Sequence, residues 1–197
     1  MCKLSKIESH YRKHNAGRVV QGDILKDIMF VEWDLLGPDP SDVSYITNNL
    51  PYIIVLSQDC DLDHDYKNRH NECAEKQDAY LQSILVCPAY LAEDLKAGVH
   101  LKGFDLIMEK KGGDNYKKIQ RNLDPRYHYL LGDPEFQMPN LIIDFKHYYT
   151  LPVNFLYRIY GSRYVASLEE LFRESLCQRF SFYLSRIGLP EINQTLH

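Results

Sequence analysis

The stretch Pro51-Tyr-Ile-Ile-Val-Leu-Ser-Gln-Asp-Cys-Asp-Leu-Asp-His-Asp65 decides how the chain is read. Five apolar residues, Tyr52 to Leu56, have the length and composition of a strand. They run straight into Ser57-Gln58-Asp59-Cys60-Asp61, where that strand must end. A Cys between two Asp at a strand end is a metal site, a reactive thiol or a tightly hydrogen-bonded structural corner.

Outward from this point, short apolar runs alternate with turn chemistry. Arg18 to Leu25 reads as a strand with Gly22-Asp23 inside it, and Ile28 to Trp33 as a second. Residues 37–50 carry the Gly, Pro, Asp and Asn of turns. Residues 59–79 are polar and read as a long loop, with at most a helical turn near 72–77. Tyr80 to Pro88 is a further strand. Leu91, Leu95 and Val99 have helical spacing. Tyr127–Leu131 and 140–150 complete the strands, and 153–157 follows Pro152. Ser167 with Glu170 reads as a capping box opening a helix over 168–187, which Gly188 and Pro190 end.

The sum is a mainly β chain with helices (α+β). The expected architecture is a small SH3-like β-barrel with a long polar loop and a C-terminal α-helix. Residues 1–18 form a basic N-terminal arm, 19–160 the barrel, and 161–197 the helix packed on it, all one domain.

The 197 residues carry a net charge of −4, too mild to pull the whole protein onto nucleic acid. The distribution is uneven. Residues 1–18 hold five Lys or Arg against one Glu, and residues 19–65 hold ten Asp or Glu against Lys26 alone. No apolar stretch is long enough to span a bilayer, and residues 1–6 lack a signal-peptide core. The expectation is therefore a cytoplasmic protein without membrane contact. Cysteines at 2, 60, 73, 87 and 177 then read as thiols or metal ligands rather than disulfides.

The order of elements resembles the MazF/PemK-like toxin superfamily, as a divergent member. The resemblance rests on Gln21-Gly22-Asp23-Ile24-Leu25, on Ile53-Ile54-Val55-Leu56-Ser57, on Ile84 to Pro88, on Leu141-Ile142-Ile143-Asp144 and on the closing helix. It implies an SH3-like barrel, a toxin or phage-defence setting, RNA binding, a homodimer, and metal-independent endoribonuclease chemistry. The family's Arg would correspond to Arg69. Its Thr after the Pro-ended strand is absent, because Ala89-Tyr90 follows Pro88.

Several constellations bear on chemistry. Cys60, His64, His70 and Cys73 form C-x3-H-x5-H-x2-C, a candidate structural zinc set; no cofactor is required otherwise. Asp59, Asp61, Asp63 and Asp65 alternate, as carboxylates on one face of a continuing strand would. Cys60 is a candidate nucleophile if a base lies in reach. In a ribonuclease, Arg69 would stabilise developing charge, with His70 or His128 as acid or base. Lys110, Lys111, Tyr116, Lys117, Lys118 and Arg121 read as a flexible basic loop able to grip phosphates and stack a base. Phe182 exceeds what one packing stripe needs and is the candidate interface residue of a homodimer or partner complex. Two alternatives to the RNA-directed reading stand beside it: a non-catalytic protein-binding or regulatory module on the same fold, and a Cys- or metal-dependent hydrolase centred on Cys60.

Overall fold

The computed structural model describes residues 9–15, 17–39, 41–71 and 76–186. The fold is mixed α+β and mostly β. One antiparallel sheet holds eight strands: β1 (Tyr11–Arg12), β2 (Asp23–Leu35), β3 (Val43–Val55), β4 (Ser83–Leu91), β5 (Tyr127–Leu130), β6 (Leu141–Asp144), β7 (Tyr149–Pro152) and β8 (Tyr164–Leu168). Their order is β1-β8-β2-β3-β4-β6-β5, and β7 pairs with the first half of β4. Five α-helices accompany them: α1 (Asp59–Arg69), α2 (Ala92–Ala97), α3 (Gly113–Gln120), α4 (Val153–Arg163) and α5 (Glu170–Leu184).

The sheet is curled. The Tyr11 hydroxyl of β1 donates to the Leu131 carbonyl just beyond β5, at 2.6 Å, so the two outermost strands meet. Alternation along each strand divides the apolar residues between two faces. Ile24, Ile54, Cys87, Ala89 and Ile143 point into the concave face, where Leu176 and Phe180 of α5 fill the hollow. Leu25, Ile53, Val55 and Val86 point outward, under Leu62 of α1 and Leu156 of α4. Tyr90 and Ile142 carry a third cluster with Leu95 of α2 and Tyr116 and Ile119 of α3.

Several expectations are revised. The polar segment after Ser57 is not a loop: it is α1, whose first turn places Asp59 and Asp61 at the positive end of the helix. The four alternating Asp therefore diverge instead of sharing a strand face. The basic stretch at 110–121 is helical from Gly113 to Gln120, because Tyr116 and Ile119, three apart, anchor α3 on β5. The run 140–150 is broken by a 3-10 turn at Phe145–His147, and 153–157 opens α4.

The capping box is absent as well. Ser167 lies within β8 and donates to Asp23 at 2.5 Å, and Glu169 occupies the N-cap of α5 without a side-chain bond. The described part of the N-terminal arm belongs to the sheet, with Tyr11 buried and paired to Leu168. Residues 187–197 and 1–8 lie outside the described residues.

The strands expected at 28–33 and the turn expected at 37–50 are one object. β2 and β3 pair continuously from Ile24↔Ile54 to Leu35↔Val43. β8 holds β2 only at Asp23–Leu25, and β4 holds β3 only at Tyr52–Val55. Beyond Asp27 and Pro51 the two strands pair only with each other, and past Ile28, Leu50 and Phe30, which pack on the outer cluster, they leave the sheet as a two-stranded ribbon.

Candidate functional site

The strand-end motif is a structural corner. Arg18 grips Asp59 with both terminal nitrogens, at 3.0 and 3.1 Å, and its Nε lies 3.4 Å from Asp63. Asp59 and Asp63 are one helical turn apart, so both face the same guanidinium. The Gln21 side-chain amide donates to the Leu56 carbonyl at 3.0 Å, and Ser57 Oγ accepts from the Leu85 amide at 2.8 Å. Burial pushes the Asp59 carboxyl up, but the Arg18 hydrogen bonds and charge outweigh it and the net shift is downward. At the other end of α1, buried Asp65 accepts from Arg69 Nε and from the Leu81 amide, both at 2.7 Å.

A second hub lies beside it. Asp23, fully buried, accepts from the Val20 amide at 2.7 Å, Ser167 Oγ at 2.5 Å and the Tyr160 hydroxyl at 2.8 Å. His14 Nε2 stands 2.9 Å away. A buried carboxylate with this many donors is satisfied in place. A third hub is Asp144, whose oxygens take Arg126 at 2.8 and 2.6 Å. Burial raises the Asp144 carboxyl; the Arg126 and His147 contacts overcome it and bring it down to about 2. Arg18 and Arg126, and the roles of Asp23 and Asp144, escape sequence reasoning because Asp59 lies 41 residues from Arg18, Ser167 144 residues from Asp23 and Asp144 18 residues from Arg126.

The expected site residues are dispersed. Cys60 is exposed, and its Sγ contacts two acceptors, Gln58 Oε1 at 3.6 Å and Asp61 Oδ1 at 3.7 Å, with no histidine in hydrogen-bond contact among the described residues. Nucleophilic activation needs a base, and these contacts supply none. His64 is exposed one turn away, and exposed His70 turns Nδ1 onto the Tyr66 carbonyl and stacks on the Tyr66 ring. Cys73 lies outside the described residues; among those described, no group of three His, Cys, Asp or Glu is placed to hold a metal ion.

Arg69 is committed to Asp65, to the Leu81 carbonyl at 2.5 Å and to the face of Tyr80. His128 is 5% exposed. Burial, helped by the charge of Arg179, lowers it to about 3, so it is neutral near pH 7. Tyr116 is buried beneath the Lys96 ammonium and offers no stacking face. Lys111 pairs with Glu109 at 2.8 Å and Lys117 with Asp114 at 3.4 Å. Lys110, Lys118 and Arg121 are exposed around α3. Phe182 is exposed on α5 beside a cavity lined by Leu123, Pro125 and Arg179.

The ribbon presents a further exposed surface. Leu25 and Ile28 both point to the outer cluster, so the alternation of β2 flips at Asp27, whose φ is 54°. Past this point Met29, Val31, Trp33 and Leu35 share one face with their partners Asn49, Thr47, Tyr45 and Val43. No charge stands on that face. Its six large apolar residues are all exposed.

These observations define a mainly β α+β protein with a helix-filled curled sheet and a projecting apolar ribbon. Among the described residues no helix is long and apolar enough to cross a membrane. No family model matches the chain, and no curated protein is similar to it.

Proposed function

We propose that this chain is a non-catalytic interaction module, built on a small barrel-like sheet of the SH3 type, which takes a protein partner on the β2–β3 ribbon. The ribbon's uncharged apolar face carries this reading. Isolated two-stranded ribbons are marginal in water. Contiguous exposed apolar surface of this extent marks an interface, and its Trp and Tyr are residue types enriched at binding hot spots. The catalytic alternatives lack such support. Arg69 is tied into the fold, His128 is buried and neutral, and Cys60 faces acceptors.

The test is a photo-crosslinking amino acid at Tyr45 of the full chain, in its native cells. A product heavier than the chain is expected, and a control position on the opposite ribbon face, Ser44, should give far less. Absence of any product at Tyr45 refutes the module.

RNA-directed activity retains one supporting feature, the exposed cations Lys110, Lys117, Lys118 and Arg121 around α3. It requires single-stranded RNA binding that weakens steeply with salt.

A further inference from the structure

We propose that the occupant of the ribbon is a second copy of this chain, paired about a two-fold axis so that each ribbon's acidic tip seats in a lysine-lined pocket at the base of the other. This rests on the module reading and specifies its partner.

The apolar face is self-complementary in shape. Its tip half is bulky, with Trp33 opposite Tyr45 and Leu35 opposite Val43; its base half is slimmer, with Val31 opposite Thr47 and Met29 opposite Asn49. A two-fold axis midway between Val31 and Trp33 lays the bulky half of one ribbon over the slim half of the other, as isologous interfaces require. Like-charge repulsion is absent, because Glu32 and Asp34 project from the opposite face.

The area suffices. Trp33 is 76% exposed, Tyr45 69%, Leu35 64% and Met29 52%, with Val31 and Val43 slightly below half. Covering these six removes on the order of 700 Å² per copy, and about 1,400 Å² in the pair, inside the range of stable specific interfaces.

Charge supplies the register. The turn joining the strands holds Asp39 and Asp42, both exposed, beside exposed Leu36, and no Lys or Arg occurs between Lys26 and Lys67. At the ribbon's base, Lys26 and its partner Tyr52 lie on the same side as Met29, because the flip at Asp27 puts Leu25 and Ile28 together on the other. Lys26 and Tyr52 line a pocket of about 270 Å³ with Lys13, Phe136 and Tyr164. Among the described residues Lys26 forms no ion pair, and Lys13 meets the Val165 carbonyl and the Phe136 and Tyr164 rings. In the two-fold pairing the partner's Asp39 and Asp42 arrive over these two ammonium groups, while its Leu36 meets the aromatic wall. The Glu135 carboxylate at the rim limits how many acids enter.

Sedimentation of the full chain from about 1 to about 100 µM should show a species of twice the 23.1 kDa chain mass. The only tryptophan, Trp33, should shift its emission to the blue as that species forms. Trp33→Asp should weaken self-association on the order of 100-fold while leaving the melting transition unchanged, since the indole is exposed in the single chain. Lys26→Glu should weaken it roughly 10-fold, and adding Asp39→Lys with Asp42→Lys should restore it.

A monomer at the highest concentration, with water-exposed tryptophan emission, overturns the pairing; so does a dimer indifferent to Trp33→Asp. Failure of the charge exchange to restore association overturns the tip-in-pocket register. Crosslinks from Tyr45 only to a chain of different mass overturn self-pairing and leave the interaction module standing, whereas no crosslink removes both.

Discussion

Lowering the pH from 7 to 5 should destabilise this protein chiefly through His128, with a smaller share from His100, whose ring burial also pushes its pKa down. The His128 ring is buried between the sheet and α5, near Phe145 at 6.3 Å, and its Nδ1 has no hydrogen-bond partner among the described residues. Burial, with Arg179 nearby, holds its folded pKa at about 3, against 6.5 for the free side chain. The sign follows from linkage. Between these values the unfolded chain binds a proton that the folded chain does not, so stability falls as pH falls. The loss begins near pH 6.5 and continues to about 3. With those two pKa values, moving from pH 7 to pH 5 costs about 2 kcal/mol. Urea unfolding at both pH values measures it, with His128→Gln as the comparison. The wild type should lose about 2 kcal/mol more than the variant. Equal losses, or an imidazolium signal for His128 in the folded protein at pH 5, would refute the reasoning.

Two further substitutions probe the hubs. Arg69→Ala should cost on the order of 3 kcal/mol in chemical unfolding, because it strands the buried Asp65 carboxylate with only the Leu81 amide; an unchanged midpoint would show that Arg69 is free for another role. Asp144→Asn should lower stability at pH 7 by about 2 kcal/mol. Its carboxyl is depressed to about 2 against an ordinary 3.8, so the contribution is present above pH 4 and lost as the pH falls towards 2. The variant's stability should therefore fall less than the wild type's over that interval.

Sequence reasoning located the elements best where a pattern is local. The β3 and β4 cores, Ile53–Val55 and Ile84–Val86, and the helix at Glu170–Leu184 are continuous or periodic runs with clear stops. It failed where polar residues conceal helices. α1 has almost no apolar stripe, with Leu62 its only buried apolar side chain, so periodicity had nothing to detect. What holds α1 is charge at helical spacing: Asp59 and Asp63 on Arg18, and Asp65 on Arg69. Those carboxylates look like ligands in one dimension because the guanidinium that satisfies the first pair lies 41 residues upstream of Asp59. The ribbon was hidden for the opposite reason. Asn48, Asn49 and Pro51 carry turn signals, but cross-strand pairing overrode them.

The corner and the ribbon are mechanically one device. β2 is fixed at its start by the four groups around Asp23 and by β8, and β3 at its end by β4 and the Arg18–Asp59 grip. Both anchors lie on the sheet side of Asp27 and Pro51. Past them the ribbon has few buried apolar contacts and two open edges, the properties of a segment that opens locally at low free energy. Cooperative unfolding of the sheet thus need not follow when the ribbon rearranges on a partner. The acidic run from 19 to 65 divides in the same way. Its carboxylates near the anchors, Asp23, Asp59 and Asp65, are bonded inward, whereas Asp39 and Asp42 at the tip are exposed. At the tip Asp39 Oδ1 accepts from the Ser41 amide and hydroxyl and holds the turn, so the charge exchange between Lys26 and the tip reports on recognition at a turn away from both anchors.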